Sequence, residues 1–134
     1  MDSYDIPLIY LEKYPAEACR GFFDAEGWVE AYYYRIVADN TNSSIIDLFG
    51  LLLEKLDINY KIYRCHQNGM FVDPKSVKTY RRNSEFIIYL AIYGEENILK
   101  FAERVGFTIT RKQVELMKLV RSIEKAEDED LKPS

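Results

Sequence analysis

The sequence predicts an α+β domain in which a small antiparallel sheet carries helices on one side. Three observations lead there. The chain has 134 residues, 48% of them apolar and 30% charged, the balance of one folded domain that buries its own core without disulfides or metal. Ile45, Ile46, Leu48, Phe49, Leu52, Leu53 and Leu56 recur at three- and four-residue spacing, the period of an amphipathic helix. Residues 84–93 alternate instead, with Phe86, Ile88, Leu90 and Ile92 on one face and Glu85, Ile87, Tyr89, Ala91 and Tyr93 on the other, the period of a strand.

The elements follow in order. Residues 1–14 read as an irregular N-terminal arm or linker, broken by Pro7 and anchored by Tyr4, Tyr10 and Tyr14. Pro15 suits the first position of a helix and Gly27 the position just past its end. Residues 28–39, rich in β-branched and aromatic side chains, read as a strand segment folded into a hairpin, although no Gly or Pro marks its turn. Asn40 to Ser44 is turn chemistry and supplies an N-cap for the amphipathic helix. Strands at 58–66 and 84–93 flank a polar connection containing Asn68-Gly69 and Asp73-Pro74. A short helix over 95–105 stops at Gly106. Thr110 and Gln113 have capping-box form and open a last helix that runs through Ile123 into an acidic tail at 124–134. The domain proper is 15–123, with α-β-β-α-β-β-α order, the last helical region being two helices.

Composition excludes several classes. Cys19 and Cys65 are too few for a disulfide scaffold and fit a reducing, intracellular setting. No apolar run approaches a membrane span, and Asp2 and Asp5 follow Met1 where a signal peptide would be basic, so no membrane partner is expected. His66 beside Cys65 has no zinc spacing around it, and no Gly-rich phosphate loop is present. The net charge of −4 is unevenly spread: the 124–134 tail holds five acids against two lysines, whereas residues 55–82 hold seven basic residues against two acids. A locally basic segment is compatible with a polyanion. The free sheet face would present Tyr33, Arg35, Asn59, Lys61, Tyr63, Ile87 and Tyr89, near Arg64, Arg81 and Arg82 of the basic segment. Basic and aromatic side chains so interleaved suit nucleic acid; the plainer reading is a wet face on which tyrosines are good strand formers.

The helix at 15–27 is unusual. Ala18, Gly21 and Ala25 share one face and leave it nearly bare, so another helix can approach closely. Phe22 borders this stripe and Glu26 lies at its edge, where the negative end of the helix disfavours a carboxylate and calls for a cation. Asp24 points elsewhere on the helical wheel and reads as structural.

Cys19-Arg20-Gly21-Phe22-Phe23-Asp24-Ala25-Glu26-Gly27 resembles the nine-residue signature of LAGLIDADG homing endonucleases, with Gly21, Asp24, Ala25 and Gly27 identical to it and Phe22, Phe23 and Glu26 conservative. The order of elements, the polar turn Asn40-Thr41-Asn42 and the stretch from Tyr89 to Leu116 are similar to the same family. The resemblance implies a saddle-shaped sheet along the major groove of double-stranded DNA. It also implies a homodimer through Ala18, Gly21, Phe22 and Ala25, because the chain holds one signature. Glu26 and Gly27 would hold Mg2+ or another divalent cation at the two-fold axis. Asn40 (Asp39 if the register slips) would order the attacking water, and Lys112 or Arg111 would face the transition state. The activity so implied is site-specific, metal-dependent cleavage of DNA by a protein encoded free-standing or within an intron; no His-Asn precedes the C-terminus, as an intein would require. The alternative is a non-cleaving binder on the same fold, an RNA maturase or a repurposed DNA-binding protein.

Overall fold

A proline-opened helix that runs straight into a strand organises the N-terminal half of the molecule. The computed structural model describes residues 8–66 and 86–131. Helix α1 (Leu8–Lys13) is followed by α2 (Pro15–Glu26), with Pro15 at the position where a missing N–H costs nothing. Strand β1 (Gly27–Glu30) begins at the next residue. Gly27 serves this junction through its size: a Cβ there would lie 2.7 Å from the Phe23 ring and 2.8 Å from the Phe23 carbonyl oxygen.

A 3-10 turn (Ala31–Tyr33) leads to β2 (Arg35–Asn40), and the reversal is completed by Tyr34 at φ 52°, ψ 54°. A tyrosine thus occupies the left-handed region that usually calls for glycine, which is why the sequence shows no turn signal within 28–39. Helix α3 (Ser43–Lys55) is capped by the Asn42 side chain, which accepts from the Ser44 and Ile45 amides at 2.9 and 3.4 Å, as the turn chemistry predicts. Strands β3 (Lys61–His66) and β4 (Phe86–Tyr93) come next, then α4 (Glu95–Arg104) and α5 (Thr110–Leu131). The Asn68-Gly69 and Asp73-Pro74 connection, with Arg81 and Arg82, lies outside the described residues.

The four strands form one antiparallel sheet in the order β1-β2-β4-β3. Ile36, Ala38, Ile88, Leu90 and Ile92 turn to the helices and join their apolar side chains in one core. Phe22 stacks on Phe49 there, ring centroids 4.2 Å apart, and Phe23 meets Phe101 edge-on at 4.9 Å. Buried Cys19 sits in the same core, and burial pushes its thiol up to about 12. The α+β architecture and its order of elements agree with the expectation. No described helix is long and apolar enough to cross a membrane.

Three expectations are corrected. The 1–14 arm contains α1, which is pinned by buried Leu11, while Tyr10 and Tyr14 are exposed and pack on each other at 5.0 Å. The acidic tail is helical as far as Leu131, because Glu, Lys and Ala are good helix formers and their charges face water. Phe22, expected at the border of a dimer seam, is 2% exposed and belongs to the core of its own chain. Phe22→Ala should therefore cost about 3–5 kcal/mol in urea unfolding, by an amount independent of protein concentration; a loss that grows on dilution would return Phe22 to an interface.

Candidate active site and nucleic-acid interface

The site is built where α2 ends. Two reciprocal contacts tie that end to the start of α5. Asp24 Oδ1 accepts from the amides of Thr108 and Ile109 at 2.9 and 3.3 Å, just ahead of the helix. Lys112 Nζ, from the first turn of α5, donates back to the carbonyls of Asp24 and Phe23 at 2.6 and 3.4 Å. Each helix end thereby receives the charge its dipole favours, an anion at the N-terminus and a cation at the C-terminus. The cation that Glu26 seemed to require is present, but it is bound to the helix carbonyls. Gln113, expected in a capping box with Thr110, accepts from the Phe107 amide at 2.8 Å.

Glu26 is the last residue of α2 and is half-buried. Gly27 pairs with Ala38, so the next residue of β2, Asp39, lies beside Glu26. The electrostatics agree: burial first, and then the Glu26 charge, raise the Asp39 carboxyl above its ordinary range. Asn40 is placed differently. It alternates with Ile36 and Ala38, which face the core, and its Oδ1 accepts from the Asn42 amide at 2.8 Å. Asp39, not Asn40, is the β2 side chain brought to Glu26. Lys112 is half-buried on the α2 carbonyls and Arg111 is exposed.

Strand register sorts the expected nucleic-acid residues. Directly opposed pairs share a face, so Arg35, Val37 and Asp39 of β2 lie on the open face with Tyr93, Ala91 and Tyr89 of β4. Trp28 and Glu30 join them from β1, and Lys61, Tyr63 and Cys65 from β3. Tyr63 stacks on Tyr89 at 5.5 Å, and Trp28 meets Tyr89 edge-on at 6.4 Å. Burial, then a hydrogen bond to Tyr93, push the Tyr63 hydroxyl up to about 12. Lys61 Nζ lies 5.6 Å from the Tyr93 ring. Tyr33 belongs to the turn and is reached by the Arg35 guanidinium at 4.9 Å. Arg64 pairs with Ile88 and therefore takes the helix-covered side of the edge strand, and Asn59 precedes β3, its amide donating to Asn97 Oδ1 at 3.0 Å. Trp28, Glu30 and Tyr93 belong to this face and were not singled out from sequence; Tyr93 was within reach of the alternation through β4, whereas Trp28 and Glu30 needed the position of the hairpin turn.

An antiparallel sheet open on one face, beside a carboxylate at the end of a helix whose outer face is nearly bare, is the arrangement of a LAGLIDADG-like domain. The family model of that description matches residues 13–106, and the chain belongs to this family. It is 33% identical over 114 residues to an uncharacterized protein of Methanocaldococcus jannaschii, a match covering 85% of this chain and 41% of that protein. It is 29% identical over 112 residues to a probable translation initiation factor IF-2 of the same organism, and 29% identical over 115 residues to one of Pyrococcus horikoshii. Those matches cover 84% and 86% of this chain but 9% of each factor. The chain thus spans less than half the length of these relatives. No solved structure matches it.

The junction of α2 and α5 makes a direct prediction. Asp24→Ala should lower stability by about 0.5–2 kcal/mol, and Asp24→Asn, which keeps an acceptor oxygen, by less. Both losses should be the same in Mg2+ and in chelator; a loss seen only with metal would make Asp24 a ligand instead of a cap.

Proposed function

We propose that the chain is a homodimeric, divalent-metal-dependent endonuclease of the homing type, which cuts double-stranded DNA at a specific site. The observation that carries this reading is Glu26 at the end of a helix whose outer face its own chain does not use. Gly21 and Ala25 are exposed, and a Cβ on Gly21 would meet nothing within 4 Å. A second copy packed by close backbone approach along that face brings two Glu26 carboxylates together at the two-fold axis.

The donor chemistry supports the metal. Glu26 and Asp39 offer hard oxygens, and magnesium takes few protein ligands, drawing the rest from water and phosphate. Among the described residues no group of three or more His, Cys, Asp or Glu side chains forms a site within one chain, which fits a centre shared between two. Glu26 and the Gly27 carbonyl of each subunit would hold the ion, which when bound acidifies water and neutralises charge on the phosphate. Asp39, on the open face beside Glu26, takes the water-ordering role first given to Asn40. Lys112 fixes the end of α2, and so the place of Glu26, through the Asp24 and Phe23 carbonyls. That same engagement favours the second reading, a non-cleaving nucleic-acid binder, since a lysine bound to helix carbonyls is withdrawn from a transition state. Matches to short stretches of two initiation factors support a domain carried within longer host chains.

Glu26→Gln separates the two readings. It removes the charge that holds metal in both subunits at once, so plasmid cleavage in Mg2+ should fall at least ~10³-fold, while DNA affinity in chelator is unchanged or rises. Cleavage near the wild-type rate would overturn the assignment of Glu26. Gly21→Leu should convert the dimer to monomer in sedimentation; a variant that stays dimeric would place the interface elsewhere.

A further inference from the structure

One end of the open face carries a side-chain network with an unusual charge balance. Glu30, Arg35 and Tyr93 occupy one cross-strand row spanning β1, β2 and β4. Arg35 Nε is ion-paired with Glu30 Oε1, and Arg35 Nη1 donates to the Tyr93 hydroxyl at 3.1 Å. The guanidinium carbon lies 4.9 Å from the centre of the Tyr33 ring and 5.9 Å from that of Tyr93. The plane of the fork is therefore set on three sides by one carboxylate, one hydroxyl and a ring. Of the five N–H hydrogens of a guanidinium, two are used; both on Nη2 and one on Nη1 take no acceptor among the described residues. Both members of the ion pair keep a quarter of their side-chain surface exposed.

We propose that Arg35 is a guanine-reading residue of the DNA interface and that Glu30 is the residue that positions it. This deepens the endonuclease reading and rests on it. A fixed, planar pair of donors fits the O6 and N7 acceptors that guanine shows in the major groove, whereas adenine presents a donor and an acceptor there. A phosphate would also accept from such a fork, but the Glu30 carboxylate beside it decides between them. The pair is formally neutral, so it offers little attraction to a phosphate and places a like charge next to one. A base edge is uncharged, and for it the buttress only aligns the donors and removes the cost of ordering a long side chain. Lys61, on the same face and with its ammonium in no printed ion pair but against the Tyr93 ring, supplies the contrasting contact: a flexible point charge suited to phosphate.

The test is selection from a library of random duplex DNA by the full-length chain in chelator, followed by affinity measurements on the selected site and on its single-base variants at several salt concentrations. The wild type should enrich guanine at one position of each half-site and lose roughly ten- to a hundredfold in affinity when that base is changed. Arg35→Lys, which keeps the charge and loses the fork, should abolish that preference while leaving the salt slope unchanged. Glu30→Gln should weaken the preference several-fold and raise the affinity for unrelated DNA. Lys61→Ala should weaken every sequence alike and lower the salt slope by about 0.9. Circular dichroism melts confirm that each variant is folded. If Arg35→Lys keeps the guanine preference, or if Arg35→Met weakens all sequences equally and lowers the salt slope as Lys61→Ala does, Arg35 is a phosphate contact and the proposal fails while DNA binding stands. A wild-type chain that retains no duplex at low salt overturns the endonuclease reading itself, and this proposal with it.

Discussion

The exchange of charges between the end of α2 and the start of α5 is the constraint on which the rest of the structure depends. Asp24 and Lys112 each satisfy backbone groups of the opposite helix, so the two helix ends that would otherwise carry unmatched dipoles neutralise each other. Because α2 runs into β1 without a loop, that contact also fixes where the sheet begins. Glu26, the last helical residue, then has no freedom to sit anywhere but beside the first strand pair, next to Asp39. A site that must place a carboxylate to within a fraction of an ångström benefits from support by rigid elements on both sides.

The open sheet face is less basic than the distribution of charge along the chain suggests. Of the basic residues in 55–82 that the structure describes, Lys61 lies on that face; Lys55 is in α3, and Arg64 takes the opposite side. What the face offers in place of a field is arranged polar and aromatic chemistry. Tyr63, Tyr89 and Trp28 form a continuous ring surface, and the rows beneath them hold small or branched residues, Ala91 and Val37, which these side chains help to bury. Arg35 is held by Glu30 and Tyr93. Shape and directed hydrogen bonds outweigh bulk charge on such a surface, and salt-dependent steering rests on fewer cations than composition implies.

The outer face of α2 shows the same division of labour. Its inner side chains, Cys19, Phe22 and Phe23, are buried in the core, and the helix needs nothing further from Gly21 to pack within its own chain. A glycine in the middle of a helix costs roughly 0.5–1 kcal/mol relative to alanine. That cost is offset only by something outside the chain, which is why the small-residue stripe bears on assembly and not on folding.

Much of the fold was legible because its signals are local. Pro15 and Gly27 bound α2, Asn42 caps α3, and the alternation through β4 assigns its two faces, all by steric and hydrogen-bonding rules acting within a few residues. The family, too, was readable from a nine-residue pattern and the order of elements. Other features escaped. The turn at 31–34 uses a left-handed tyrosine, and a helix inside the acidic tail is indistinguishable by charge from a solvated coil. The composition of the site was decided by tertiary structure alone. Asp24 meets its amides 84 and 85 residues away, Lys112 its carbonyls 88 and 89 away, and the choice of Asp39 over Asn40 or Lys61 over Arg64 turns on a strand register. A slip of one residue would send each of those side chains to the other face, and nothing within a single strand states which register its partner will select.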